Sequence, residues 1–237
     1  MTDFTHYRAL SFDCYGTLID WEGGILAAAQ PWITRHAGKI DEAGFLKAFG
    51  RVEREEQSAA PAKLYPQILE GVLRRIGAEH DLDVSAEEAD AFGRSVGDWP
   101  AFEDSHEALI ALARDHKLII LSNVDRSSFS RSNERLGITF DKIITAQDVG
   151  SYKPDLRNFE ALLAGLADFQ ISKDQLLHVG ESMNHDVVPA NQMGIDVVWI
   201  DRGKISGRPR ASGALPEGAK TLAEFDSMAA FVAALQG

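Results

Sequence analysis

The stretch ALSFDCYGTLIDW, Ala9 to Trp21, decides how the chain is read. An apolar run carries one acid, Asp13, and breaks at Gly16. A buried strand that ends in a carboxylate needs a reason, because an unpaired buried charge is expensive. Two places on, where a second acid would complete a carboxylate pair, stands Tyr15.

Four further apolar runs read as strands: Lys117–Ser122, Lys142–Ala146, Gln175–Gly180 and Asp196–Asp201, with the first strand spanning Tyr7–Asp13. The runs at 119–121 and 197–200 are continuous rather than alternating, which suits strands covered on both faces, as in a parallel sheet. Helical spacing falls between them at Ser105–His116, Ser127–Leu136, Leu156–Ala167 and roughly Asn184–Met193. A last helix is expected from Thr221, where Thr-Leu-Ala-Glu reads as a capping box. The stretch from Trp21 to Trp99 is helix after helix without a strand. The expected fold is therefore α/β: an open, parallel-sheet, Rossmann-like core (1–20 and 100–237) with an inserted all-helical cap (21–99).

The chain has 237 residues, 45% hydrophobic, with 24 Lys and Arg against 36 Asp and Glu, a net charge of −12. That balance argues against nucleic acid or an anionic membrane as partner, and an anionic substrate must be drawn by a local cation. The lone Cys14 rules out a disulfide within the chain and fits a cytoplasmic location; it reads as a small buried apolar side chain. Neither a signal peptide nor a membrane span is expected. An apolar cap helix leaves a homodimer open.

In open parallel sheets ligands bind beyond the carboxyl ends of the strands. Here those ends carry Asp13, then Ser122 and Asn123, then Lys153 in Ser-Tyr-Lys-Pro-Asp, then Gly180, Glu181 and Asp186. Taken in order, this set resembles the haloacid dehalogenase superfamily of aspartyl-nucleophile hydrolases. The resemblance implies that Asp13 is the nucleophile, that Thr17 and Ser122 orient its oxygens and the bound anion, and that Asn123 donates there. It also implies that Lys153 neutralises the carboxylates and that Asp186 is the second acid. Two adjacent carboxylates raise each other's pKa, and a lysine between them keeps the nucleophile ionised.

Phosphatases of that superfamily carry Asp-x-Asp at the first motif, the second acid protonating the departing alkoxide. Tyr15 is a poor substitute, whereas a halide leaves without a proton. Asp-Cys-Tyr-Gly-Thr resembles the type II 2-haloacid dehalogenases, which work without a metal and whose tyrosine lines the halide pocket. The resemblance extends to a cap arginine, Arg51 (slightly favoured) or Arg54, and to Tyr65 as a pocket aromatic. Two departures point the other way. Gly-Glu-Ser-Met-Asn-His-Asp at 180–186 is closer to the phosphatase branch, where Mg²⁺ would be held by Asp13, the Tyr15 backbone, Glu181 and Asp186. Phe159 stands where the dehalogenases have tyrosine. The favoured expectation is hydrolytic dehalogenation of a small anionic 2-haloacid without a cofactor; the alternative is an Mg²⁺-dependent phosphatase or phosphonate hydrolase. His178 is expected to be a satisfied core residue, His185 a surface residue at a helix start, with reach into the pocket as the alternative, and the basic stretch 203–210 a solvated loop.

Overall fold

The computed structural model describes residues 3–203 and 218–236, so residues 204–210 of the basic stretch lie outside the described residues. Six strands form one sheet: β1 (Ala9–Phe12), β2 (Lys117–Ser122), β3 (Lys142–Thr145), β4 (Leu176–Gly180), β5 (Asp196–Ile200) and β6 (Ala223–Phe225). They lie in the order β3-β2-β1-β4-β5-β6, and every neighbouring pair is parallel. The order reverses at β1, so the carboxyl ends of β1, β2 and β4 flank the crevice where such sheets take ligands.

The continuous apolar runs have the expected cause. In β2, Leu118 and Ile120 join one apolar cluster while Ile119 and Leu121 join the other, so both faces of the strand are covered. One cover contains α8 (Arg157–Gly165) and the short α9 (Val188–Gln192), through Phe159, Leu162 and Ala190. The other contains α5 (Ser105–Leu112), α6 (Arg126–Leu136) and α10 (Met228–Gln236), through Leu109, Leu112, Phe129 and Phe231. The one-turn helix α7 (Ala146–Val149) follows β3 directly.

Between β1 and α5 the chain makes α1 (Trp21–Arg35), α2 (Glu42–Ala59), α3 (Tyr65–Glu79), α4 (Ala86–Gly93) and a 3₁₀ turn at Arg94–Asp98. The starts are set by side-chain caps: Asp20 accepts from the Gly23 N–H, Asp41 from Gly44, and Ser85 and Glu88 close a reciprocal box. Phe45, Phe49 and Val52 of α2 pack with Ile68, Val72 and Ile76 of α3 in the cluster that also holds Leu10 and Phe12 of β1. No helix among the described residues is long and apolar enough to cross a membrane.

Two expectations need correction. The segment after Thr221 is not helical. Leu222 N–H donates to Val197 O, and Asp201 N–H to Phe225 O, so residues 223–225 complete the sheet edge beside β5. The helix begins only after Ser227, whose Oγ accepts from the Ala230 N–H. The expected helix at 184–193 is also divided. Met183–Val187 form a wide turn in which Val187 N–H reaches back five residues to Ser182 O, and α9 follows.

Candidate active site

Asp13 directly follows β1 and Lys153 lies in the loop before α8, yet their side chains meet. Lys153 Nζ donates to Asp13 Oδ1 (2.9 Å), Asp186 Oδ1 (2.6 Å) and Leu121 O (2.9 Å), which uses all three N–H groups of an ammonium. Burial pushes the Asp13 carboxyl up, against the pull of Lys153 and the Thr17 hydroxyl. Burial also works against ionised Asp186, but the Lys153 ammonium and His178 override it and hold that carboxyl well below the usual range. Burial opposes the charge on Lys153 in turn, and the two carboxylates more than restore it.

Thr17 Oγ1 donates to Asp13 Oδ2 (3.0 Å) and accepts from the Glu181 N–H (2.9 Å), so it ties the β1 turn to the end of β4. Gly16 makes that turn with φ +96°, a conformation side chains rarely adopt. Asn123 does not face the lysine ammonium. Its amide clamps the Lys153 backbone, accepting from N–H (2.6 Å) and donating to O (3.0 Å), while it lines the same cavity. Ser122 is buried, its Oγ has no hydrogen-bond partner among the described residues, and it makes no bond to Asp13.

Asp186 is placed from behind. His178 Nε2 lies 3.2 Å from Asp186 Oδ1, and His178 Nδ1 lies 2.8 Å from Ser11 Oγ. Ser11 and His178 sit opposite each other in the β1–β4 register. The core histidine expected from sequence is thus also a positioning residue. Its signal was available: two polar residues inside strands that otherwise read as buried.

A cavity of about 90 Å³ opens over Asp13. Its walls include Tyr15, Trp21, Glu53, Arg54, Tyr65 and His185, with Asn123, Lys153 and Glu181. Tyr15 forms an aromatic wall with Trp99 set edge-on, ring centroids 5.6 Å apart, and its hydroxyl bonds Ser132 Oγ at 2.8 Å. Burial raises the phenol pKa well above its ordinary value. Tyr65 lines the cavity as expected and donates to Glu53 Oε1 (2.6 Å).

Of the two cap arginines, Arg54 reaches the cavity. Arg51 is corrected to a surface residue: it pairs with Glu55 and Glu79 and is absent from the cavity wall. Three positions on a helix leave two side chains only about 60° apart, and Arg51 falls just off the stripe of Gly50, Glu53, Arg54 and Gln57 that lines the wall. His185 is also corrected. It lines the cavity, and burial lowers its pKa to about 4, so it is neutral at neutral pH. Glu53 is the residue missed altogether. It falls one turn after Phe49 on the apolar face of α2, an acid on a buried stripe.

The four-member magnesium set does not assemble. Asp186 is fully buried, is not on the cavity wall, and is bonded by Lys153, His178 and the Ser182 N–H. Among the described residues no three His, Cys, Asp or Glu side chains gather to hold a metal. Asp13 and Glu181 remain on the cavity wall.

A parallel sheet with a lysine bridging two carboxylates at its switch point, under a helical insert, is an architecture of haloacid dehalogenase-like hydrolases. The family description "haloacid dehalogenase-like hydrolase" matches residues 7–194, and the chain belongs to that family. It is 31% identical over 128 residues to a phosphoserine phosphatase of Thermus thermophilus, covering 52% of this chain and 50% of that one. It is 35% identical over 72 residues to a glyceraldehyde 3-phosphate phosphatase of Methanocaldococcus jannaschii, covering 30% of each. The chain thus spans half or less of the curated relatives it matches. Among solved structures, a defluorinating L-2-haloacid dehalogenase superposes with a TM-score of 0.80 at 20% identity, over 98% of this chain and 96% of that one. The L-2-haloacid dehalogenase of Xanthobacter autotrophicus with chloropropionic acid covalently bound gives 0.80 at 16% identity, over 98% and 99%. At those identities the likeness speaks for the fold.

Proposed function

We propose that the protein hydrolyses small 2-haloacids through an ester on Asp13. The observation that carries this reading is Tyr15: the position of a leaving-group acid holds a half-buried phenol tied to Ser132. Such a site suits a leaving group that departs as an anion without a proton. An Asp13 oxygen attacks C2 of the haloacid, the carbon–halogen bond breaks, and the halide leaves with the bonding pair near Arg54. Lys153 keeps Asp13 ionised for that attack. Water then adds to the carboxyl carbon of the ester, releasing the 2-hydroxyacid and regenerating Asp13. Neutral His185, on the same wall, is the proton acceptor for that water.

In a single turnover in ¹⁸O-water the first label enters the Asp13 carboxylate and not the product; label directly in product sinks the ester. Asp13→Asn is expected to abolish turnover. A second reading, magnesium-dependent phosphate ester hydrolysis, is favoured by Glu181 beside Asp13 on the cavity wall and by the phosphatase relatives. In that reading Asp13 and Glu181 would hold the ion. Chloroacetate and a phenyl phosphate ester, each with and without EDTA, separate the two. Chelator-resistant halide release supports dehalogenation, and magnesium-dependent phosphate release overturns it.

A further inference from the structure

Glu53 has no part in the chemistry above, yet it is a buried acid on the wall of the cavity over Asp13. Both hydrogen bonds it accepts among the described residues, from Tyr65 Oη (2.6 Å) and Gln57 Nε2 (3.2 Å), end on Oε1. Oε2 is the oxygen left for a ligand. The cavity wall holds three carboxyl groups, Asp13, Glu53 and Glu181, against two cations, Arg54 and Lys153. With all three ionised, an entering anion meets an excess of negative charge in a water-poor space. With Glu53 protonated the site carries one negative charge fewer, and the acid O–H becomes a donor available to an anion.

We propose that Glu53 binds the substrate anion as a neutral carboxylic acid, so that at alkaline pH each anion enters together with one proton. This rests on the reading of the cavity as a site for small organic anions. The binding step balances as ionised Glu53 plus one proton plus one anion giving the protonated complex. No other bond changes. The neighbours agree with it. Burial raises the Glu53 pKa to about 7, opposed by the Tyr65 hydrogen bond and the Arg54 charge. From the core face the cavity presents Asp13 and Glu181, which disfavour a further negative charge, and Lys153, already held by two carboxylates. His185 contributes no charge at neutral pH. From the cap face come Arg54, Gln57 and the un-ionised Tyr65. Glu53 is thus an acid of this wall that burial shifts up to about 7, into the neutral range.

The test is calorimetric titration of the full chain with propionate, a halogen-free carboxylate that cannot turn over. It is run at pH 6 and pH 8 in buffers of different ionisation enthalpy. At pH 8 the heats should show close to one proton taken up per propionate bound, and at pH 6 close to none. Affinity should fall about tenfold between them, as mass action on one proton requires. Glu53→Gln keeps a neutral donor and should bind with no proton uptake at either pH. Tyr65→Phe is the second variant. It removes a bond that favours the ionised acid, so uptake should begin at higher pH. Buffer-independent heats at pH 8, unchanged uptake in Glu53→Gln, an unmoved onset in Tyr65→Phe, or no propionate binding at pH 6 would each overturn the proposal. Proton-linked binding with no halide release from 2-haloacids would instead overturn the dehalogenase reading and leave Glu53 in its role.

Discussion

At the scale of single residues, the centre depends on Lys153, buried among two carboxylates and a carbonyl. Removing one partner of a buried ion cluster costs about 3–5 kcal/mol, because the remaining charges stay buried and unpaired. Lys153→Met should therefore lose turnover and about that much stability in urea unfolding at pH 7. The loss should shrink in acid, where Asp13 and Asp186 take up protons. An equal loss at both pH values would show that packing, not charge, is what the lysine supplies. Glu53 carries the opposite sign. Burial lifts its folded pKa to about 7, above the ordinary glutamate value, so the folded state holds the extra proton and stability falls as pH rises between those values. Glu53→Gln should then raise Tm at pH 8, by up to about 3 kcal/mol in stability, and leave it nearly unchanged at pH 4. Asp13, Thr17, Lys153 and Asp186 were legible in the sequence because strand ends of a parallel sheet converge whatever the loops do. Arg51 was misassigned and Glu53 missed because a cap helix brings only one face to the cavity, and sequence alone leaves its rotation open.

At the scale of elements, the buried strands announced themselves because a run covered on both faces has no polar position. The weak elements were decided by neighbours. Residues 221–224 carry a helix-start signature, but the open edge of β5 offers unpaired backbone groups, and tertiary pairing outweighs a local cap. The wide turn at Met183–Val187 was not legible either, since its five-residue reach leaves no residue pattern. Its purpose is visible at Gly180, where an added Cβ would lie 2.6 Å from Cγ and Oδ2 of Asp186. Gly180→Ala should push the Asp186 carboxylate off Lys153. Turnover is expected to fall at least tenfold and Tm to drop by roughly 10 °C, the cost of disturbing a buried ion cluster, read by kinetics and a thermal melt on one preparation. A large fall in Tm with kcat preserved would mean that the strand end, not the carboxylate, had moved.

For the whole molecule, the question is how firmly the helical insert is joined to the sheet. Its helices have an aromatic cluster of their own, with Phe45 and Phe49 against Phe92 and Trp32 beside Phe45. A self-contained core of that kind would let the insert melt alone. Yet the same apolar cluster runs without a break through Ile25, Phe49 and Trp99 into Leu10, Phe12 and Leu18. The cavity itself is walled from both sides, by Glu53, Arg54 and Tyr65 above and by Asp13, Lys153 and His185 below. Loss of the insert would expose that shared apolar surface to water at about 25 cal/mol per Å². Insert and sheet are therefore expected to unfold together, although chains of this length often do not. The tryptophans report on this directly. Trp21, Trp32 and Trp99 lie within 21–99, and Trp199 is in β5. In a urea titration, fluorescence of a Trp199→Phe variant follows the insert, and far-UV circular dichroism follows the whole chain. Superposing transitions are expected; a fluorescence change completed at lower urea, with the remaining ellipticity intact, would show that the insert opens as a unit of its own.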